Sequence, residues 1–454
     1  MILYINMKIS EYRFDNGLKV IYQQRPDALT AVSLFCCVGS VNEPTALNGN
    51  VNLNGISHMI EHMMFKGTSN ISDTKSIAKI FDSIGAYFNA YTDKNMTCYT
   101  VKSSSKNIDV IIQTLSDMMM NSLFLKEEFE MEKKVVTEEI IRARDNTANY
   151  LNNEIYSLYF KGSNLANPIG GVPEVISNYN YEESKKYYKT FYVPSNMVLS
   201  ICSNRNFNDI KQVIKKSYLL TKPSSPFDNS LYKNIGTLDS QKDIRTKALN
   251  RKLEQTHIAL GFRTTHMYND DKYLLDIARV VLAGNMSSRL FTELREKRGL
   301  TYNIGIDASE YEKYGHFTIL TSVDKKRLIE YTEKGVKKPG ALKIINDELQ
   351  KMINTGITEE ELLKAKGYID GKLVLATEDA LNISDYNGKI VGFNFKHFIP
   401  IKRLYKIKYS LITIQQVNNI IKKYFKRNRL SLFLIGDNVN KTIDKAADIF
   451  KNIA

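Results

Sequence analysis

The stretch Gly55-Ile-Ser-His-Met-Ile-Glu-His-Met-Met-Phe-Lys-Gly67 constrains the chain most, because it specifies a helix and leaves that helix in need of a remote partner. Ile56, Met59, Ile60, Met63 and Met64 recur at helical spacing between two glycines, with Gly67 placed as a C-terminal stop. Residues four apart lie one above the other on a helix face, so His58 and His62 can offer two imidazoles to one cation, with Glu61 beside them. Imidazole suits a borderline-soft divalent ion, and zinc in a catalytic site usually takes three protein ligands and keeps a fourth position open. A third ligand must therefore come from elsewhere in the fold. The chain has only six histidines, so two of them at this spacing around a glutamate favour a metal helix over ordinary helix positions.

The order His-x-x-Glu-His is the inverse of the thermolysin-type motif. A carboxylate is the natural third ligand, and the long helix expected from Lys126 offers Glu127, Glu128, Glu130, Glu132, Glu138 and Glu139. Glu132 and Glu139 are seven apart, close to two full turns, so both face the same way: one can ligate while the other supports a ligand from behind. Spacing does not say which, and an acidic helix read alone is a solvated face.

Composition bounds the rest. A chain of 454 residues suggests two or more domains with ample core, and 43% apolar with 25% charged residues is globular. No apolar run approaches the length of a membrane span, and Met1 to Ser10 shows neither a signal-peptide pattern nor an Arg-rich presequence, so a cytoplasmic protein without a membrane partner is expected. The net charge of +14 raises nucleic acid as a partner. Its densest basic stretches, Lys402 to Tyr409 and Lys422 to Arg427, read instead as solvated helix faces, so nucleic acid is not expected. Cys36, Cys37, Cys98 and Cys202 show no disulfide or metal spacing, which fits a reducing compartment.

Along the chain, Asp15-Asn16-Gly17 marks a hairpin, Thr30 to Val38 a buried strand, and Ser72 the cap of a helix closed by Gly85. Tyr87 to Val101 alternates as a strand, helices follow at about 108–120 and from Lys126 to Glu154 with a break near Asn146, and a further helix spans 207–219. Periodicity lapses over Thr221 to Lys242, around Pro223, Pro226 and Gly236. Beyond it, Thr256 to Thr264 echoes Thr30 to Val38, and Leu430 to Ile435 echoes Met197 to Cys202. The expected division is residues 1–220, a linker at 221–242, and residues 243–454, two related α+β units.

His58 to Thr68, with Glu132 and Glu139 beyond it, resembles the pitrilysin and insulinase-like zinc peptidases, most nearly the catalytic β subunit of mitochondrial processing peptidase and its bacterial relatives. The resemblance implies one zinc per chain held by His58, His62 and Glu139, with Glu138 one residue off register, Glu132 behind the ligands, and Glu61 as general base. Gly85 to Tyr91 is similar to the family's substrate-binding edge strand, implying that Asn89 and Ala90 contact substrate backbone. Asn285 to Tyr302 is similar to a second family segment and implies that Arg295 and Tyr302 bind substrate near the scissile bond. One departure is Ala283-Gly284-Asn285, where the family often has a run of glycines. The fold implied is α+β, with two homologous domains, each a mainly antiparallel sheet covered by helices, forming half of a clamshell chamber. A homodimer, or a heterodimer with a related subunit, would complete it. The implied function is a zinc endopeptidase cutting unfolded peptides or presequence-like segments, the alternative being a catalytically inactive peptide-binding member acting as a partner subunit.

Overall fold

The computed structural model describes residues 9–45, 51–221 and 235–453. Most of the expected linker, residues 222–234, lies outside the described residues. Two compact units emerge, the first from the described parts of Met1–Ile141, Asn167–Gly236 and Val374–Lys402, the second from Arg142–Ala166, Thr237–Leu373 and Arg403–Ala454. The linear division expected at 221–242 does not follow these contacts, because residues 142–166 and 374–402 each cross it.

The first unit is built on β1 (Ile9–Arg13), β2 (Lys19–Gln24), β3 (Leu29–Cys36), β4 (Tyr87–Thr92), β5 (Thr97–Ser104) and β6 (Met197–Ser203). They lie in the order β1-β2-β6-β3-β5-β4, antiparallel except for the parallel β2–β6 pair. The hairpin expected at Asn16-Gly17 is present, with Gly17 at φ 90°. Tyr87 to Val101 is not one strand but a hairpin, because the polar Asp93-Lys94-Asn95 turns the chain and Asp93 donates its N–H to Met96 O at 2.7 Å. Two boundaries also shift. The cap is Asp73 rather than Ser72, and the 207–219 helix ends at Lys215 before a separate turn, Tyr218–Leu220.

Every residue of β3 except Leu29 is buried, which is why its sequence, Leu-Thr-Ala-Val-Ser-Leu-Phe-Cys, is nearly continuous in apolar and small residues. Helix Ile108–Met120 packs on this sheet, and so does helix Ala380–Gly392 from near the other end of the chain. The second helix approaches closely: a Cβ at Gly388 would lie 2.1 Å from Phe35 Cε2, and Ser384 Oγ is 2.7 Å from Ser33 Oγ. Substituting Gly388 by alanine forces the helix off the sheet, an overpacking of the kind that costs about 1–3 kcal/mol.

The second unit repeats the plan with β7 (Arg245–Asn250), β8 (Gln255–Thr264), β9 (Ile304–Glu310), β10 (Gly315–Asp324) and, after the small hairpin β11 (Glu330–Glu333) and β12 (Val336–Pro339), β13 (Leu430–Gly436). Its order β7-β13-β8-β10-β9 matches β2-β6-β3-β5-β4 strand for strand, again with one parallel pair, β7–β13. The echoes seen in sequence, β3 with β8 and β6 with β13, therefore occupy equivalent places. Helix Thr147–Glu154 and the turn after it pack on β8 and β13. There the Tyr156 hydroxyl lies 2.8 Å from His316 Nε2, and Tyr159 Oη receives the Thr318 hydroxyl at 2.9 Å. In each half of the chain, the segment that follows a long helix (Lys126–Asp145 or Glu359–Ala376) belongs by its contacts to the unit built mainly from the other half of the sequence.

Candidate active site

Helix Ile56–Met63 packs its buried Ile56, Met59, Ile60 and Met63 into the first core, and this burial of one face sets the direction of the other. His58 and His62 project from it with rings 4.7 Å apart at 80°, and their Nε2 atoms lie 3.3 Å from each other. The long helix Lys126–Asp145 brings Glu139 to the same place, with Oε2 3.4 Å from His62 Nε2 and Oε1 3.8 Å from His58 Nε2. These three residues each offer one ligand atom within a 4.8 Å sphere of mutual distances, and among the described residues they are the one such group of metal-capable side chains. Glu138 is not part of it.

Glu132 sits one level down, buried, with Oε1 2.8 Å from His62 Nδ1. The Lys66 ammonium grips its other oxygen. Burial works against the Glu132 carboxylate, but the hydrogen bond from His62 and the Lys66 charge more than offset it, so Glu132 stays ionised below the usual range. His62 is thereby turned with Nδ1 toward Glu132 and Nε2 toward Glu139. Burial opposes its charged form too, yet Glu132 and Glu139 raise it to about 9. Burial, then neighbouring His62, lowers His58 to about 4, so its ring is neutral at neutral pH.

This donor set fits a zinc ion on the structure's own terms. Two ligands each about 2.0–2.1 Å from a tetrahedral ion stand roughly 3.3 Å apart, and the observed Nε2 separation is 3.3 Å. Without an ion, the two imidazole nitrogens and the carboxylate are held together by the proton that Glu132 and Glu139 favour on His62, and a metal takes the place of that proton. A divalent cation between them satisfies all three.

Glu61, on the same helix, is held by Thr92 at the end of β4, whose hydroxyl donates to Oε2 at 2.6 Å. Burial raises this carboxyl above its ordinary value, with the Thr92 hydrogen bond and His62 pulling it back and Glu139 raising it further. It is a more basic carboxylate than a solvated one, and it feels both His62 and Glu139. Asn89 and Ala90 lie on the same strand, which ends the six-stranded sheet; Asn89 is exposed and its Oδ1 accepts the Ala90 N–H at 2.9 Å. Arg295 and Tyr302 belong to the second unit and meet one another. The guanidinium stacks 4.7 Å over the Tyr302 ring and donates to the Tyr302 carbonyl at 3.0 Å, while the phenol is 74% exposed.

Two supporting residues escape motif reading. Thr92 ends the edge strand without any signature, and Lys66 lies four residues past His62 in what reads as a surface position. Only the i, i+4 spacing of His62 and Lys66 could have hinted at a shared partner.

Residues 19–172 match the sequence model of Insulinase (Peptidase family M16), and residues 178–368 match that of the Peptidase M16 inactive domain. A Rickettsia felis protein, named as an uncharacterized zinc protease, is 32% identical over 95% of this chain and 98% of its own length. The similarly named YmxG of Bacillus subtilis is 30% identical over 92% of this chain and 96% of its own. The chain belongs to the M16, or insulinase, peptidase family. The fold agrees: a protease from Helicobacter pylori superposes with a TM-score of 0.82 at 21% identity, covering 94% of this chain and 99% of that one. A Pseudomonas fluorescens structure described as a peptidase M16 inactive domain gives 0.80 at 18% identity, covering 95% and 98%. As an M16 chain it has no described helix long and apolar enough to cross a membrane.

Proposed function

We propose that this M16 chain is a zinc endopeptidase that hydrolyses peptide bonds of unfolded or presequence-like segments inside an enclosed chamber, with one zinc ion held by His58, His62 and Glu139. The convergence of the two Nε2 atoms and the Glu139 carboxylate within 4.8 Å carries the reading. When bound, zinc supplies a Lewis acid that polarises the scissile carbonyl and acidifies water. The protein's own part follows from the geometry. Glu132 fixes the His62 ring, so the donor nitrogens are set before the ion arrives. Thr92 occupies Glu61 Oε2, which leaves Oε1 to take a proton from the attacking water and return it to the leaving amine. Partial burial raises Glu61 and makes it a stronger base than a solvated carboxylate.

The terminal strand β4 offers an extended peptide main-chain partners next to Glu61, which gives affinity with little demand for one sequence. Arg295, stacked on the exposed Tyr302 ring, forms with it a pair suited to a substrate carbonyl and to the oxyanion that develops from it. A second, related chain or a second copy would close the chamber.

Metal analysis of the purified protein, paired with cleavage of a fluorogenic peptide with and without chelator, tests the reading. One equivalent of zinc and chelator-sensitive cleavage are expected. Zinc without cleavage would instead favour an inactive, peptide-binding partner subunit.

A further inference from the structure

The hydrogen bonds at the start of the metal helix converge on a residue the motif does not contain. Glu43 is 0% exposed, and its carboxylate accepts the backbone N–H of Gly55 at 2.7 Å, that of Ser57 at 2.9 Å and the Asn54 amide at 3.1 Å. Gly55, at the N-cap, holds φ 97°, and a Cβ there would meet Gly170 O at 2.7 Å, so no local side chain can cap this helix. The cap comes instead from a distant segment that is tied to the β4–β5 turn. Ser40 and Val41 donate their N–H groups to the carbonyls of Asp93 and Lys94 at 3.2 and 2.9 Å. Lys94 is itself buried, donates to the Asn167 carbonyl, and interacts electrostatically with Glu43. Two residues before Lys94 stands Thr92, the group that holds Glu61.

We propose that Glu43, together with Lys94, is a positioning residue of this site: it locks the N-terminal end of the metal helix against the β4–β5 turn and so sets where that helix, with His58 and Glu61 on it, lies relative to Thr92. The inference rests on the metallopeptidase reading above. A buried carboxylate and a buried ammonium are an expensive way to satisfy helix amides, which water or an exposed side chain satisfies at lower cost. Burial pushes Glu43 up to about 7 against its hydrogen bonds, and brings Lys94 down to about 8 against the attraction of Glu43 and Asp93. What the arrangement adds is a rigid connection between two elements that each carry part of the chemistry.

The test is Glu43→Gln, which keeps the shape but turns an amide NH2 toward a backbone N–H. In that variant kcat and KM are measured separately, zinc affinity by competition with a chelator, and ligand geometry by the visible spectrum of the cobalt-substituted protein. The expected result is kcat lower by about 10-fold with KM within about twofold, zinc affinity weaker by about 10-fold, and a changed cobalt spectrum. Lys94→Met moves the same three readouts in the same direction, and the double variant is no worse than the worse single one, because the two residues act as one unit. A residue that only supports folding lowers the melting temperature while kcat per folded molecule and the cobalt spectrum stay put, and that outcome overturns the proposal. Should Glu43→Gln fail to fold, Lys94→Met decides by the same measurements. A wild-type protein that neither binds zinc nor cleaves peptide sinks the metallopeptidase reading and this one with it. A wild type that does both, with variants that match it, sinks the positioning role alone.

Discussion

The two units share one five-strand plan and differ in what they place on it. In the first, the connection from β3 to β4 carries His58 and His62, and the long helix Lys126–Asp145 turns Glu132 and Glu139 toward them. In the second, the connection from β8 to β9 carries Arg289, and the long helix Glu359–Ala376 turns Glu361 toward it. That pair is bidentate, with Nε 2.6 Å from Oε1 and Nη2 2.7 Å from Oε2, and the Gly356 carbonyl accepts a further hydrogen bond at 2.9 Å. Carboxylates on the long helix thus face imidazoles in one unit and a guanidinium in the other. Arginine carries its own permanent charge, so the second unit has a cation built in where the first has three side chains able to hold one. The scaffold brings the connection and the helix together in both, and the difference lies in the side chains it carries.

The largest effect that would sharpen this contrast is at Glu61. Glu61→Gln keeps both imidazoles and Glu139, so zinc content should be unchanged, while peptide cleavage falls by about 10²–10⁴-fold with the loss of the base. Metal analysis and turnover on the same sample check it. Loss of zinc in that variant would mean that Glu61 is a ligand and that the pairing of roles is wrong.

Next in size is the metal itself. Glu139→Ala should weaken zinc binding far more than Glu138→Ala, since only Glu139 reaches the Nε2 atoms. Glu132→Ala should fall between, by about 10- to 100-fold, as expected when a ligand loses the group that orients it. Chelator competition ranks the three. A metal-poor Glu138 variant beside a normal Glu139 variant would put the long helix out of register by one residue.

Much of this was legible in the sequence, and for identifiable reasons. Helical spacing placed His58 and His62 on one face, and the seven-residue interval put Glu132 and Glu139 on one side of the long helix, because both depend only on a period the chain must obey. The paired strand echoes were legible because β3 and the middle of β8, Ile258 to Phe262, are buried on both faces and so are nearly continuous in apolar and small residues. The hairpin at Asp93 was missed, since alternation runs through Tyr87 to Val101 without regard to a reversal. The exchange of residues 142–166 and 374–402 was not readable at all: an amphipathic helix such as Ala380–Gly392 declares that it covers a surface, not which one. Glu43 fails for the same reason, because its partners are set by tertiary approach and not by spacing.

The contrast also predicts how each unit fails. Arg289 and Glu361 have side chains only 9% and 21% exposed, so Arg289→Ala leaves a largely buried carboxylate without its partner, at a cost of about 3–5 kcal/mol. His58→Ala should instead lose zinc and leave the metal-free protein nearly as stable as before. Urea unfolding of the chelated proteins, with zinc titration of each, separates the two. An Arg289 variant of normal stability would show that the second unit's ion pair is ornamental to its fold.

The smallest effect distinguishes the units by pH. Glu310, at the end of β9, is raised to about 7 from an ordinary 4.5, by burial first and by neighbouring Asp276 second, with Lys272 and Arg279 pulling the other way. Asp276 stays fixed beside it through the Tyr409 hydroxyl at 2.7 Å. Between pH 4.5 and 7 the unfolded chain has released this proton and the folded chain keeps it, so the folded state binds more protons and stability falls as pH rises across that window. Below it the cost is absent, and above it the cost is complete. Glu310→Gln removes the titration, so its denaturation midpoint relative to wild type should be lowest near pH 4.5 and should rise to a plateau above pH 7. Zinc content and cleavage should not change, because Glu310 belongs to neither ligand set nor base. A midpoint difference that is flat across pH 4.5 to 8 would show that Glu310 is ionised in the folded protein. The buried carboxylates would then be tuned only in the first unit, around the metal helix.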